Sequence, residues 1–181
     1  LWIRRQRQMC IRDSYNISSP LIMRLLDHVL AHPGNIQDMH FMLQKEMAER
    51  LSAQPGSKAW GRLSVMTQIT VDAEYLFDVP PQSFDPTPKV DSSIIRLTPL
   101  AHDALPVPRK SLDKVLRLAF AARRKRMSNA LKTLQLDWSG LAVDPGKRAD
   151  DVTIDEFLAI AEQSQAMQRA TQTKGEPGVA Y

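Results

Sequence analysis

The sequence predicts an α/β fold, namely the closing portion of an α/β sheet, followed by a small all-helical segment. Two β-rich runs, residues 73–79 and 90–97, flank a proline-rich loop and end a region in which helical and strand patterns alternate. After Pro99 only helical spacing remains, which indicates a second unit. With 43% hydrophobic and 24% charged residues, the 181-residue chain can bury a core of useful size.

The first unit, residues 15–100, shows the pattern helix, strand, helix, helix, strand, loop and strand. Its first helix is predicted to begin with Ser18 as N-cap and Pro20 at the first helical position, where the missing N–H costs nothing. The other predicted elements are a buried strand at 39–43, helices at 46–51 and about 61–70, and strands at 73–79 and 90–97, which form an antiparallel hairpin at the sheet edge.

The second unit, residues 109–164, carries apolar residues in helical stripes. Thr153 and Glu156 form a predicted capping box that opens the last helix, because each side chain can bond the backbone N–H of the other. From residue 165 to residue 181 the chain is polar and is predicted to be a disordered tail. The stripes consist of Leu112, Val115, Leu116, Ala119 and Phe120, then Met127, Ala130, Leu131 and Leu134, and lastly Phe157, Leu158 and Ala161.

Residues 1–14 show neither helical nor strand periodicity, and they resemble translated sequencing-adapter read-through, so we expect them to be non-native. Cys10, the single cysteine, lies among them. One cysteine excludes an internal disulfide framework and fits a reducing compartment. The sequence also contains no apolar run of about 20 residues, the length that spans a bilayer. We therefore expect a cytoplasmic protein with no membrane partner.

The net charge of +4 is unevenly distributed along the chain. Residues 109–132 carry nine cations against Asp113 alone, whereas the chain outside this segment and residues 1–14 is acidic overall. A basic patch of this kind is typical of proteins that bind polyanions. Arg123 to Arg126 are four consecutive cations between two apolar stripes. A solvated helix junction is one interpretation of them, but phosphate contact is favoured.

The sequence carries no generic catalytic pattern. The four histidines are scattered, so no metal site is expected, and neither a G-x-G-x-x-G nor a P-loop glycine pattern occurs. Residues 15–18 (Y-N-I-S) form either a turn into the first helix or part of a site, and the local pattern favours the turn. Phe84 lies on a loop stiffened by Pro86 and Pro88. It either fills the domain or offers its ring to a flat ligand such as a base.

Six motifs follow one another along the chain. They are Y-N-I-S-S-P-L-I, F-M-L-Q-K-E-M-A-E-R-L, G-R-L-S-V-M, F-D-P-T-P-K-V-D-S-S-I-I-R-L, A-F-A-A-R-R-K-R-M-S-N-A-L and D-P-G-K-R-A-D-D-V-T-I-D-E-F. Together they resemble the bacterial small-subunit (16S) ribosomal RNA adenine dimethyltransferases, over about residues 15–164. The resemblance implies the C-terminal part of a Rossmann-like S-adenosylmethionine-dependent methyltransferase domain over 15–100, and a helical RNA-binding domain over 109–164.

The resemblance also implies a reaction and roles for particular residues. The reaction is N6,N6-dimethylation of adjacent adenines near the 3′ end of small-subunit ribosomal RNA during ribosome maturation, with S-adenosylmethionine as donor and no metal. Tyr15 and Phe84 are expected to stack on a target adenine swung out of its helix. The residues expected to contact RNA in the pre-ribosomal small subunit are Lys89, Arg123, Arg124, Lys125 and Arg126.

The chain departs from that family where the methyl donor would bind. In the family, N-L-P precedes Y-N-I-S and accepts hydrogen bonds from the adenine amino group. Arg12, Asp13 and Ser14 occupy those positions here, and an arginine can only donate. The family's glycine-rich donor turn has no counterpart in this sequence. We therefore expect a truncated chain that binds no S-adenosylmethionine, is inactive alone, and exposes an unpaired sheet edge that lowers its solubility.

Two other interpretations stay open. A non-enzymatic RNA-binding or ribosome-assembly module requires only the helical domain and its basic patch. A large-subunit rRNA adenine methylase shares the Y-N-I and F-x-P-x-P elements. However, the K-R-A-D-D-V-T-I-D-E-F ending resembles the small-subunit group more closely.

Overall fold

The computed structural model of the chain describes residues 14–101 and 105–173. Two compact units divide the chain between residues 104 and 105. The predicted non-native segment up to residue 13, with Cys10, lies outside the described residues, as does the end of the predicted tail from residue 174.

The first unit contains three helices and three strands among its described residues, and their predicted order is confirmed. They are α1 (Ser14–Ala31), β1 (Met39–Gln44), α2 (Lys45–Leu51), α3 (Arg62–Gln68), β2 (Val71–Val79) and β3 (Ser92–Pro99).

Helix α1 begins earlier than its sequence pattern predicts. It starts at Ser14, so the Y-N-I-S segment is helical rather than a turn, and Pro20 lies inside the helix rather than at its first position. A proline ring is compatible with helical φ and costs the helix one hydrogen bond. Burial of Ile22 and Leu26 against the core holds the helix that continues beyond it. The prediction of a helix start at Ser18 was therefore wrong.

The three strands form an antiparallel sheet in the order β1-β3-β2. Strand β3 is central, because Ile95 pairs with Phe41 of β1 on one side and with Tyr75 of β2 on the other. The predicted β2–β3 hairpin is confirmed, although β2 is the one strand of that hairpin at an edge, because β3 lies between β2 and β1. Within the described part of the chain β1 pairs with β3 alone, so its other edge is unpaired. Its side chains are consequently half-buried or exposed, not buried as predicted.

Helices α1 and α2 pack on the sheet to form the core of the first unit. Full burial of a large apolar side chain contributes about 1.5–3 kcal/mol. The core residues are Ile22, Leu26, Met47, Ala48, Leu51, Val71, Ile95 and Leu97.

Helix α3 is tied to the end of α2 by polar side chains. The buried Ser64 hydroxyl accepts from the Gly61 N–H at 3.1 Å and donates to the Arg50 carbonyl at 2.6 Å. The Gln68 amide donates to the carbonyls of Leu51 and Ala53. Because these bonds satisfy buried backbone groups, they explain why Ser64 and Gln68 stand in this helix.

The second unit is formed by helices and short 3-10 turns within its described residues. Helix α4 buries the predicted stripe except for Phe120, which is half-buried with its ring 5.7 Å from that of Phe157. The predicted second stripe does not continue along one helix, because α5 ends after four residues. The elements are α4 (Arg109–Ala121), α5 (Met127–Ala130), 3-10 turns at Lys132–Leu134, Trp138–Gly140 and Ala149–Asp151, and α6 (Ile154–Thr173).

Helix α6 begins at the predicted capping box and runs further than predicted. The Glu156 carboxylate accepts from the Thr153 N–H at 2.8 Å, and the Thr153 hydroxyl accepts from the Glu156 N–H at 3.3 Å. The helix continues to Thr173, so the prediction of disorder was wrong for residues 165–173. These residues are polar but contain neither glycine nor proline, and polarity alone does not end a helix. None of the described helices is long and apolar enough to cross a membrane.

Candidate nucleic-acid interface

The loop between β2 and β3, residues 80–91, carries two of the predicted site residues. A 3-10 turn at Pro81–Ser83 opens the loop, and the Phe84 N–H donates to the Pro81 carbonyl at 3.2 Å. Phe84 then takes an extended conformation and is half-buried. Lys89 is exposed on the same loop. The aromatic residue is therefore neither enclosed in the core nor wholly in solvent.

Four side chains at the base of this loop form a hydrogen-bonded network, the loop clamp: Lys45, Tyr75, Asp78 and Ser93. Lys45 Nζ lies 2.6 Å from Asp78 Oδ2, and the Ser93 hydroxyl donates to Asp78 Oδ1 at 2.7 Å. The Tyr75 hydroxyl donates to the same oxygen. In addition, the Lys45 backbone N–H donates to the Asp91 carbonyl at 3.0 Å. Because Asp78 precedes the loop and Ser93 follows it, the clamp ties both loop ends to the β1–α2 junction.

The clamp holds its groups in fixed protonation states. Hydrogen bonds from Lys45, Tyr75 and Ser93 hold the pKa of Asp78 well below its usual range. The bond to Asp78 in turn raises the pKa of the Lys45 ammonium above its usual value. Burial, and then the bond to Asp78, raise the pKa of the Tyr75 hydroxyl. Each of these shifts moves the pKa further from neutral pH, so the clamp positions the loop and does not supply acid–base chemistry.

Tyr15, the other predicted stacking residue, lies in the first turn of α1 in the same unit as Phe84. Its predicted contact with a base concerns a side chain outside the described part of the structure. Stacking by Tyr15 therefore stays a prediction.

The four predicted cations of the second unit lie in the turn between α4 and α5. All four residues are exposed. The Lys125 N–H donates to the Ala122 carbonyl at 2.7 Å, which closes the turn. Arg123 differs from its neighbours, because its Nε donates to Asp150 at 2.6 Å. Arg123 thus helps to hold the turn on the segment that precedes α6.

A second stretch of chain, residues 144–148, joins this turn. Arg126 forms an isolated antiparallel bridge with Arg148, and the Met127 N–H donates to the Lys147 carbonyl at 2.8 Å. These bonds bring the R-R-K-R and D-P-G-K-R motifs side by side. Together they form an exposed basic surface that consists of Arg124, Lys125, Arg126 and Arg148.

Arg148 was missed in the sequence because its surroundings conceal its charge. Asp144, Asp150 and Asp151 lie close to it along the chain, so no local excess of cations marks the segment. Two of the nearby charges are bonded elsewhere, since Asp150 accepts from Arg123 and Lys147 lies 2.6 Å from Glu156. The available signal was the second basic motif, D-P-G-K-R, but periodicity does not reveal that it pairs with R-R-K-R.

Two observations on the described residues concern a methyl donor and a metal. Strand β1 passes directly into α2 between Gln44 and Lys45, with no glycine-rich turn at which a helix N-terminus could hold a nucleotide. The two glycines with positive φ, Gly34 and Gly56, lie in separate turns that follow α1 and α2. No group of three or more metal-ligating side chains occurs in the part of the chain that the structure describes.

Most of the chain is similar to known ribosomal RNA methyltransferases. The family model described as ribosomal RNA adenine dimethylase matches residues 13–166. Ribosomal RNA small subunit methyltransferase A of Pseudomonas putida is 46% identical over 162 residues, which are 86% of this chain and 58% of that protein. The Legionella pneumophila (strain Lens) protein of the same name is 47% identical over 154 residues, 81% of this chain and 57% of that protein. The chain thus spans less than two thirds of these relatives.

Two solved structures share the fold. A dimethyladenosine transferase from Plasmodium falciparum superposes with a TM-score of 0.65 at 22% identity, covering 87% of this chain and 64% of that chain. The 23S rRNA methyltransferase ErmE gives a TM-score of 0.54 at 23% identity, covering 78% of this chain and 59% of that chain. At these identities the likeness supports an α/β methyltransferase-like fold and no more.

Proposed function

Because the chain belongs to the ribosomal RNA adenine dimethylase family, we propose that it forms the RNA-facing part of an rRNA adenine N6,N6-dimethyltransferase. The proposed substrate is a pair of adjacent adenines near the 3′ end of small-subunit rRNA, modified during ribosome maturation. The observation that carries the proposal is the basic surface, because two motifs far apart in sequence converge there and four cations share one exposed region.

The first unit, over residues 15–100, would hold the target base. A base that is to be methylated at its amino group must leave its stack, and an aromatic side chain gives the extruded base a new stacking partner. Phe84 is half-buried on a loop that the clamp ties at both ends, so its backbone is positioned before a base arrives. Stacking on such a side chain contributes about 1–3 kcal/mol per base. Tyr15 would stack on the same base.

The second unit, over residues 109–164, would be the family's small helical RNA-binding domain. The exposed Arg124, Lys125, Arg126 and Arg148 would contact phosphates, and Lys89 would do so from the loop of the first unit. Contacts of this kind fix the register of an RNA without reading its sequence. Arg123 would support this surface through its bond to Asp150 as well as contact RNA.

S-adenosylmethionine would supply the methyl group in the family reaction, but the residues present do not fit it. We propose that these 181 residues alone neither bind the donor nor transfer a methyl group. What they do alone is then RNA binding, the activity of the non-enzymatic module considered above. The large-subunit alternative gains no support from ErmE, because a likeness at 23% identity concerns the fold only.

The test is a binding experiment on the target bases. A labelled RNA hairpin with two adjacent unpaired adenines is compared by fluorescence anisotropy with the same hairpin that carries two abasic sites. One stacked base predicts about 5- to 150-fold tighter binding of the adenine hairpin, from about 1–3 kcal/mol. Phe84→Ala should remove most of that difference, and Phe84→Tyr should keep it. Equal affinity of the wild-type chain for the two hairpins would contradict a base platform.

A further inference from the structure

The outer side of α4 contains a cleft with its own set of cations. The cleft has a volume of about 470 Å³ and lies between α4 and the 3-10 turn at Lys132–Leu134. None of its lining residues belongs to the basic surface. The residues that line this α4 cleft are Lys110, Asp113, Lys114, Arg117, Leu118, Thr133 and Leu134.

The cations of the cleft form a row because of their spacing in sequence. Lys110, Lys114 and Arg117 stand at positions i, i+4 and i+7, which share one face of a helix. The opposite face is buried through the apolar stripe of α4, so the cationic face is turned to solvent. At 1.5 Å per residue the row extends about 10 Å along the helix. This length matches a short stretch of a phosphate backbone better than a single small anion.

Charge within the cleft is only partly compensated. Asp113 is the single acid in its lining, and its Oδ2 accepts from Arg117 Nε at 2.7 Å. Three cations against this one acid give the lining a net charge of +2. Lys110 and Lys114 are both exposed. Leu118 and Leu134 add a half-buried apolar floor on which a sugar could rest. Among the lining side chains, Asp113 carries the one carboxylate that would repel a phosphate.

We propose that the α4 cleft is a second phosphate-binding site, which takes a ribose–phosphate strand of rRNA separately from the basic surface. This inference rests on the proposed function, because it assigns the cleft to the same RNA. The helical unit then holds RNA at two places instead of one, which fixes the orientation of the unit on the RNA as well as its distance.

The salt dependence of RNA binding tests the proposal. Each phosphate contact contributes about 0.7 (single strand) to 0.9 (duplex) to the slope of log affinity against log salt. The double variant Lys110→Gln/Lys114→Gln of the full chain should therefore lower the slope by about 1.4–1.8. At 0.1 M salt that is a loss of about 25- to 60-fold in affinity. Asp113→Asn removes the one acid of the cleft and should tighten binding.

The controls separate this proposal from the proposed function. The pair Arg24→Gln/Lys58→Gln neutralises two exposed cations of the first unit and should change the slope by less than one contact. If Arg124→Gln/Lys125→Gln lowers the slope but the cleft variant matches the control pair, the cleft proposal is overturned and the proposed function stands. If neither variant lowers the slope, RNA docking by the helical unit fails as a whole. Unchanged circular-dichroism melting shows that each variant is folded.

Discussion

The four consecutive cations of the α4–α5 turn should not behave alike. Arg123 Nε is bonded to Asp150, whereas Arg124 and Lys125 belong to the exposed basic surface. We predict that Arg124→Gln/Lys125→Gln weakens RNA binding with little effect on folding. We predict that Arg123→Gln lowers the free energy of unfolding and lowers the salt slope by one phosphate contact at most. The contrast follows from one ion pair, so it could not be predicted from four adjacent basic residues.

The expected magnitudes follow from the contacts. Two lost phosphate contacts lower the salt slope by about 1.4–1.8, which is a loss of about 25- to 60-fold in affinity at 0.1 M salt and almost none near 1 M. The Arg123–Asp150 pair is partly exposed, with side-chain exposures of 43% and 29%. A pair of this kind contributes about 0.2–1 kcal/mol to stability. For a unit of this size, that is a shift in Tm of about 1–8 °C.

The assay is fluorescence anisotropy with a labelled small-subunit rRNA 3′ hairpin over a series of salt concentrations, paired with thermal denaturation of each variant. Asp150→Asn serves as the matched control, because it breaks the ion pair from the acidic side and leaves every cation in place. It should reproduce the Tm shift of Arg123→Gln. Equal loss of salt slope in Arg123→Gln and in the double variant, with equal Tm, would refute the division of roles.

Three further predictions concern the clamp, the capping box and the donor. Asp78→Asn should lower the Tm between about pH 4 and pH 10, and the difference in Tm from wild type should narrow in acid. The reason is that a carboxylate with a depressed pKa stabilises the fold above its unfolded pKa and loses that effect as pH falls through its folded pKa. The difference in Tm should also narrow above about pH 10.5, because the raised pKa of Lys45 gives stability that is lost as pH rises through its folded pKa. A difference in Tm that stays constant from pH 2 to 11 would contradict the ion pair. Thr153→Ala should cost about 1 kcal/mol in urea unfolding, and Thr153→Ser should restore it, since a serine hydroxyl can cap the same N–H. Titration calorimetry should detect S-adenosylmethionine binding by the Pseudomonas putida relative and none by this chain, and saturable heat from the chain would mean that it holds a donor site.

Sequence patterns predicted which elements are helices and which are strands. They did not predict the features that depend on residues distant in sequence, such as the order of the strands. The capping box at Thr153 was predictable because all its atoms lie within one turn of chain. The start of α1 was not, because Ser-Ser-Pro is a good helix start in isolation, whereas the helix begins at Ser14 and contains Pro20. The central place of β3 was also hidden, since alternation shows that a strand is present but does not give its partners.

The candidate site shows the same division. Local composition singled out Phe84 and the basic turn as candidates, and the family resemblance gave them their expected roles, whereas Arg148 entered only through its bridge to Arg126. The clamp was equally invisible in sequence, because Lys45, Asp78 and Ser93 come from three different elements. Local sequence therefore indicates candidate binding residues, whereas the residues that position them are found only in the folded structure.

The most direct test of the account is competition in a methylation assay. The Pseudomonas putida relative methylates a small-subunit rRNA substrate with labelled S-adenosylmethionine, while this chain is added in increasing amounts. If the chain docks on the target RNA without transferring methyl groups, incorporation should fall, and added RNA but not added S-adenosylmethionine should restore it. Absence of inhibition at saturating chain, or methyl incorporation by the chain alone, would contradict the account.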